Sequence, residues 1–290
     1  MPAARTTTTT KVAAKKPAAA RTTKVAAKQP AARTTKVAAK QPAAPAPRMT
    51  LAEAMHELEQ AGSAQTRKTY ARHGATGPMF GVSFAALKLL HKRIGVDHEL
   101  ACALWDTGNF DARNLAVKVV DPARMSSAEL DRWAREAGAR SCGGYVAMLA
   151  AEGPHAAAKA ATWLARDAPV RPAGWTLVGQ LAQRDEAMPD AWFKERLAEI
   201  EATIDSVPNA EREAMHLAVI TIGCRNPALR KAATAAAKRI GKVEVDHGDT
   251  ACKTPDAAAA IDKAWAHSLA KGFASPAAHE RTREPLRLRC

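Results

Sequence analysis

From Thr50 onward, apolar residues recur at the three- and four-residue spacing of amphipathic helices, broken at short intervals by capping residues and glycine. Thr50-Leu-Ala-Glu53 has the form of a capping box, with Leu51, Met55 and Leu58 at helical spacing behind it. The same reading predicts helices over Ser63–Arg72, Ser83–Ile94 (stopped by Gly95), Asp97–Thr107 and Ala112–Val120. Ser126-Ser-Ala-Glu129 is a second capping box. It is followed by predicted helices over Ala139–Ala151, Ala156–Ala165, Ala173–Gln183, Asp190–Ser206, Ala210–Ile222, Ala228–Ile240 and Pro255–Lys271. No segment reads as a strand. Helices joined by short connections predict an all-α fold, a HEAT-like α-solenoid of antiparallel helical hairpins, with a compact bundle as the alternative.

The first 48 residues break this pattern. ARTTKVAAKQPA runs from Ala20 to Ala31 and again from Ala32 to Ala43, and Pro17, Pro30 and Pro42 each close a repeat. Too few large apolar side chains are present to bury a core, so residues 1–48 are expected to form a disordered basic tail before a helical domain over 49–272 and a flexible C-terminal segment over 273–290.

Charge divides at the same boundary. The chain has a formal net charge of +14, and residues 1–48 hold 11 basic side chains and no acid, while the remaining 242 residues hold 32 basic and 29 acidic ones. Spaced lysines of this kind neutralise phosphates and release counterions, which makes DNA the expected partner and the tail lysines (Lys11, Lys15, Lys16, Lys24, Lys28, Lys36 and Lys40) the residues expected to touch it. The tail resembles those of linker histones and bacterial histone-like proteins. An organelle transit peptide and a solubilising extension remain alternatives, though the prolines oppose the helix that a transit peptide needs. No apolar run approaches membrane-spanning length, and the N-terminus lacks an apolar signal region, so a cytoplasmic, nucleoid-associated monomer is expected.

Several stretches of the helical domain resemble the DNA alkylation repair glycosylase family built from HEAT-like repeats. They are YARHGATGPMFGVSFAALKLL (Tyr70–Leu90), LACALWDTGNFDARNLAVKVVDP (Leu100–Pro122), PAGWTLVGQLA (Pro172–Ala182), AVITIGCRNPALRKAA (Ala218–Ala233) and AKRIGKVEVDHGDTACKTPDAAAAI (Ala237–Ile261). The resemblance implies a curved solenoid whose concave face holds a DNA duplex. In active members an acidic residue flanked by tryptophans stabilises the positive charge that develops on the sugar as an alkylated base leaves. Here the implied acid falls on or near Gly144, one tryptophan on or near Arg140, and a later one around Met215 and His216; none is an acid or a tryptophan. Asp131 and Glu136 are the candidate substitutes for the acid. The resemblance also implies a DNA-contacting arginine where Pro172 stands, with Arg171 beside it the nearest match.

The residues of the domain expected to touch DNA are therefore Arg113, Lys118, Arg140, Arg171 and Lys253, the last beside a helix start able to receive a phosphate. A protein recognising duplex or branched DNA by backbone and shape, with the usual catalytic Asp and Trp missing, is the first expectation. An active glycosylase excising N3- or N7-alkylpurines and a protein-interaction scaffold are the alternatives. No dinucleotide fingerprint, P-loop or Gly-x-Ser-x-Gly motif occurs, and no cofactor is expected. Asp246, His247, Asp249 and Cys252 cluster in sequence but read as a structural turn, and no metal site is expected. The five cysteines are widely spaced and read as reduced thiols, and the tryptophans read as core.

A salt series tests the tail. Removal of residues 1–48 should weaken DNA binding at low salt and flatten the log–log slope by up to about 0.9 for each phosphate that the tail neutralises. An unchanged slope and affinity would take the tail out of the interface.

Overall fold

The computed structural model describes residues 48–137, 140–165 and 170–289, with the side chains at 140 and 141 outside that description. Its helices among these residues are α1 (Leu51–Gln60), α2 (Ala64–Arg72), α3 (Phe84–Ile94), α4 (His98–Asp106), α5 (Phe110–Val119), α6 (Ser127–Glu136), α7 (Arg140–Glu152), α8 (Ala156–Leu164), α9 (Arg171–Arg184), α10 (Asp190–Thr203), α11 (Asn209–Gly223), α12 (Pro227–Ile240), α13 (Ala257–Ala270), α14 (Pro276–Arg281) and α15 (Leu286–Arg289). The fold is all-α, and the helices from α1 to α13 start within two residues of the positions expected from the hydrophobic pattern, while α10 ends three residues before the expected Ser206. The reason is local chemistry at the helix ends. Both capping boxes form, Thr50 with Glu53 and Ser126 with Glu129. Ser63, Ser83, Asp97, Asn109, Asn226 and Asp256 also accept first-turn backbone N–H groups, and Gly95 ends α3 at positive φ.

The helices stack in two layers. α5, α7, α9, α11 and α13 pack successively on one another, while α4 lies on α5, α6 on α7, α8 on α9, and α10 and α12 on α11. Trp105, Trp133, Trp163 and Trp175 are fully buried between the layers, and Trp105 and Trp133 stack in parallel with ring centroids 4.1 Å apart.

The segment between α2 and α3 is fixed by one carboxylate. Asp111, buried in the first turn of α5, accepts the backbone N–H groups of Phe80 (2.6 Å), Gly81 (2.9 Å) and Val82 (2.9 Å). Gly81 adopts φ 80°, and a Cβ there would lie 2.5 Å from the Ser63 carbonyl oxygen, so only glycine fits.

Six arginines terminate helices of their neighbours. The last carbonyls of an α-helix have no partner within it. Arg113 donates to the Glu136 carbonyl at the end of α6 (2.6 Å), Arg171 to that of Leu164 ending α8, and Arg212 to those of Ile204, Asp205 and Val207 after α10. Arg225, buried, donates to Leu181, Ala182 and Asp185 at the end of α9 and to Met188 beyond it.

The remaining two belong to the C-terminal segment, and here the sequence expectation is corrected. Residues 273–289 form a docked strap rather than a flexible extension. Ser275 caps α14, and the Ala277 N–H donates to the Cys224 carbonyl after α11. Arg281 donates to the Gln183 carbonyl of α9, and Arg184 pairs with Glu280. Arg287, 4% exposed, donates to the carbonyls of Val117 and Lys118 at the end of α5 and forms a two-pronged pair with Glu152, the last residue of α7 (2.9 Å each). Strap cations thus meet the negative ends of α5, α7 and α9.

Arg287→Ala leaves Glu152 without this partner and the α5 carbonyls unmet. Urea unfolding should show a loss of about 3–5 kcal/mol, against less than about 0.5 kcal/mol for Arg283→Ala at the exposed edge of the strap. Equal effects of the two would refute the docking.

Candidate nucleic-acid interface

The carboxylates nominated from the sequence sit on α6 and face different neighbours. Glu136 accepts the Trp105 indole N–H (2.7 Å) and pairs with Arg113 (3.5 Å), joining α6 to α4 and α5. Asp131 accepts the Trp163 indole N–H (2.7 Å) and pairs with the nearly buried Lys159 (2.8 Å), joining α6 to α8. The fold does not bring the two acids together. A third clip of the same kind was missed in the sequence: buried Glu211 on α11 accepts the Trp175 indole N–H (3.2 Å) and the Arg171 Nε–H (2.7 Å). Each clip sets a carboxylate between an indole N–H and a cation, which satisfies a buried donor and balances the charge.

The implied catalytic position is bare. Gly144 lies on α7, and a Cβ placed there meets nothing within 4 Å, so the fold leaves room for a side chain where no carboxylate stands. The position of the later tryptophan is core: Met215 is fully buried, and His216 is buried with Nε2 2.9 Å from the Pro255 carbonyl oxygen. Burial pushes the His216 imidazole below its usual pKa.

The nominated cations divide three ways. Lys118 is a core ion, 1% exposed, with Nζ 2.5 Å from the Arg287 carbonyl oxygen and 4.8 Å from the Tyr145 ring centroid. Arg113 and Arg171 are partly buried and spent on helix ends and clips; Arg113 also lies over the Trp105 ring. Burial of Lys118 and engagement of the two arginines argue against the expectation that these three touch DNA, because a cation spent inside the protein presents little charge to a phosphate. Lys253 is exposed and makes no ion pair among the described residues. The Arg140 side chain and the tail lysines Lys11, Lys15, Lys16, Lys24, Lys28, Lys36 and Lys40 lie outside the described residues.

Exposed lysines, with Arg72 and Arg135, carry charge that no ion pair among the described residues takes up. Lys68, Lys92, Lys194, Lys231, Lys238 and Lys263 are exposed and form no ion pair among the described residues. The 246–252 segment is a turn tied within itself and to α11. Asp246 Oδ1 accepts the Gly248 N–H, the Asn209 amide bonds the Asp246 backbone, and His247 Nε2 lies 3.0 Å from Thr254 Oγ1. No helix among the described residues is long and apolar enough to cross a membrane. Burial pushes the Cys142 thiol up to about 12 and Cys224 up to about 11, so both behave as core residues.

Stacked helical hairpins, clipped by tryptophan–carboxylate pairs and closed by arginines, define a HEAT-like repeat protein related to DNA glycosylases. The DNA alkylation repair enzyme family model matches residues 54–239, and the chain belongs to that family. A solved structure described as a new family of proteins related to the HEAT-like repeat DNA glycosylases with affinity for branched DNA structures superposes with a TM-score of 0.69 at 32% identity, over 77% of this chain and 95% of that one. Uncharacterized proteins of Listeria monocytogenes and Listeria innocua are each 28% identical over 216 residues, 72% of this chain and 94% of theirs.

Replacing Asp131 by Asn removes the countercharge of Lys159. Thermal and urea unfolding should show a loss of about 3 kcal/mol or more, with a smaller loss for Glu136→Gln, whose carboxylate is more exposed. A silent Asp131→Asn would show that the clip is not structural.

Proposed function

We propose that this protein binds branched DNA by its backbone and shape, as a nucleoid-associated monomer, and does not excise bases. The observation that carries this reading is the occupation of Asp131 and Glu136 by indole N–H groups and cations, together with the empty face at Gly144. A carboxylate that stabilises a developing sugar cation must face the substrate with its charge unspent. Both acids here are engaged by an indole N–H and a cation, and Asp131 is largely buried as well. The affinity for branched DNA described for the structurally similar protein supports the choice of ligand.

In this reading the face of α10 and α12, where Lys194, Lys231 and Lys238 stand exposed, meets the DNA. Exposed lysines and Lys253 reach phosphates, and the tail lysines add sequence-independent affinity. Lysine suits this task as a hydrated point charge on a flexible stem, whereas six of the arginines are held at helix ends.

Binding to a four-way junction and to a linear duplex of equal length, measured at one fixed salt concentration, tests the proposal. The junction should bind at least about tenfold more tightly, a difference of about 1.4 kcal/mol. DNA carrying 7-methylguanine should release no base above the uncatalysed rate. Base release abolished by Glu136→Gln or Asp131→Asn would establish the glycosylase instead, and no binding to either DNA would favour a protein-interaction scaffold.

A further inference from the structure

A cluster on α4 and α6 has the chemistry of a metal site. His98 and Cys102 lie four residues apart on α4, one turn above the other on the same helix face. Glu129, in the first turn of α6, completes a trio in which one ring nitrogen, Sγ and one carboxylate oxygen all lie within 4.8 Å of one another. All three residues are half-buried. We propose that His98, Cys102 and Glu129 bind a zinc ion that ties α4 to α6.

Two further observations point to a ligand. His98 Nδ1 is buried and has no hydrogen-bond partner, a cost that a bound cation removes. Glu129 is held by its capping box through one oxygen only: the Ser126 N–H and hydroxyl both donate to Oε2, at 2.8 and 2.6 Å, leaving Oε1 outside the box. That arrangement fixes the carboxylate's direction in the way outer partners orient metal ligands.

The donor set selects the ion. One imidazole, one thiolate and one carboxylate form a borderline-soft, mixed set that suits Zn2+ better than Mg2+ or Ca2+, which favour all-oxygen sites. Bond lengths of about 2.0–2.3 Å place donors about 3.5 Å apart in a tetrahedral site. Small side-chain rotations therefore close the trio around the ion, and water fills the fourth position. Binding replaces the thiol proton, which leaves to solvent.

Titration of the full chain with Co2+ tests the site directly. One equivalent should produce a thiolate-to-cobalt charge-transfer band in the near ultraviolet, displaced by Zn2+. Cys102→Ser should abolish the band, whereas Cys252→Ser, at an exposed thiol far along the chain, should keep it. Glu129→Gln preserves the capping box, since Gln serves there as well as Glu, so the fold is retained while binding weakens at least tenfold. Zn2+ should raise the thermal midpoint of the parent and of Cys252→Ser but not of Cys102→Ser. Absence of the band in the parent, its survival in Cys102→Ser, or unchanged affinity in Glu129→Gln would overturn the site. None of these outcomes depends on whether the protein binds branched DNA.

Discussion

Every α-helix ends in carbonyl groups with no partner inside the helix, and a stack of short helices multiplies that problem at each layer edge. In this protein arginine is the main solution. The guanidinium carries five donors in a rigid fork, so one side chain can close several carbonyls and cross to an adjacent helix at once. Arg225 alone closes the end of α9 and the loop after it, and Arg287 closes α5 while pairing with Glu152 of α7. The strap that carries Arg281 and Arg287 brings the last residues of the chain back across helices in its middle. The stack is therefore held by bonds between distant parts of the chain as well as by neighbours, unlike a pure repeat array.

The same constraint governs function. An arginine holding a helix end is unavailable to a phosphate, and a carboxylate holding an indole is unavailable to a sugar cation. Three tryptophans are each tied to a carboxylate in a separate clip, at Trp105–Glu136, Trp163–Asp131 and Trp175–Glu211. In the proposed reading DNA meets the exposed cations of the body and the basic tail, which suits recognition of backbone and shape.

Much of the fold was legible in the sequence because helix starts and stops are local signals. Thr50, Ser126 and Gly95 act through bonds to residues three or four positions away. The family segments were legible too, but their meaning was not. In the Leu100–Pro122 segment Gly108 turns the chain at positive φ, and Arg113 returns to Trp105 and Glu136, the bond to Glu136 spanning 23 residues. Lys118 looked like a surface cation because its sequence neighbours do not reveal a partner 169 residues away. The docked strap did leave one readable trace. Ser275-Pro276 is a helix-start signal, a cap followed by proline at the first helical position, within a segment otherwise dominated by charge.

Hydrogen exchange of the full chain, alone and with a four-way junction, puts the division between architectural arginines and DNA-facing lysines to the most direct test. The account predicts slowed exchange along α10 and α12, with no change at α4. Slowing confined to residues 1–48, with the helices unaffected, would contradict it and leave the body without a role in binding DNA.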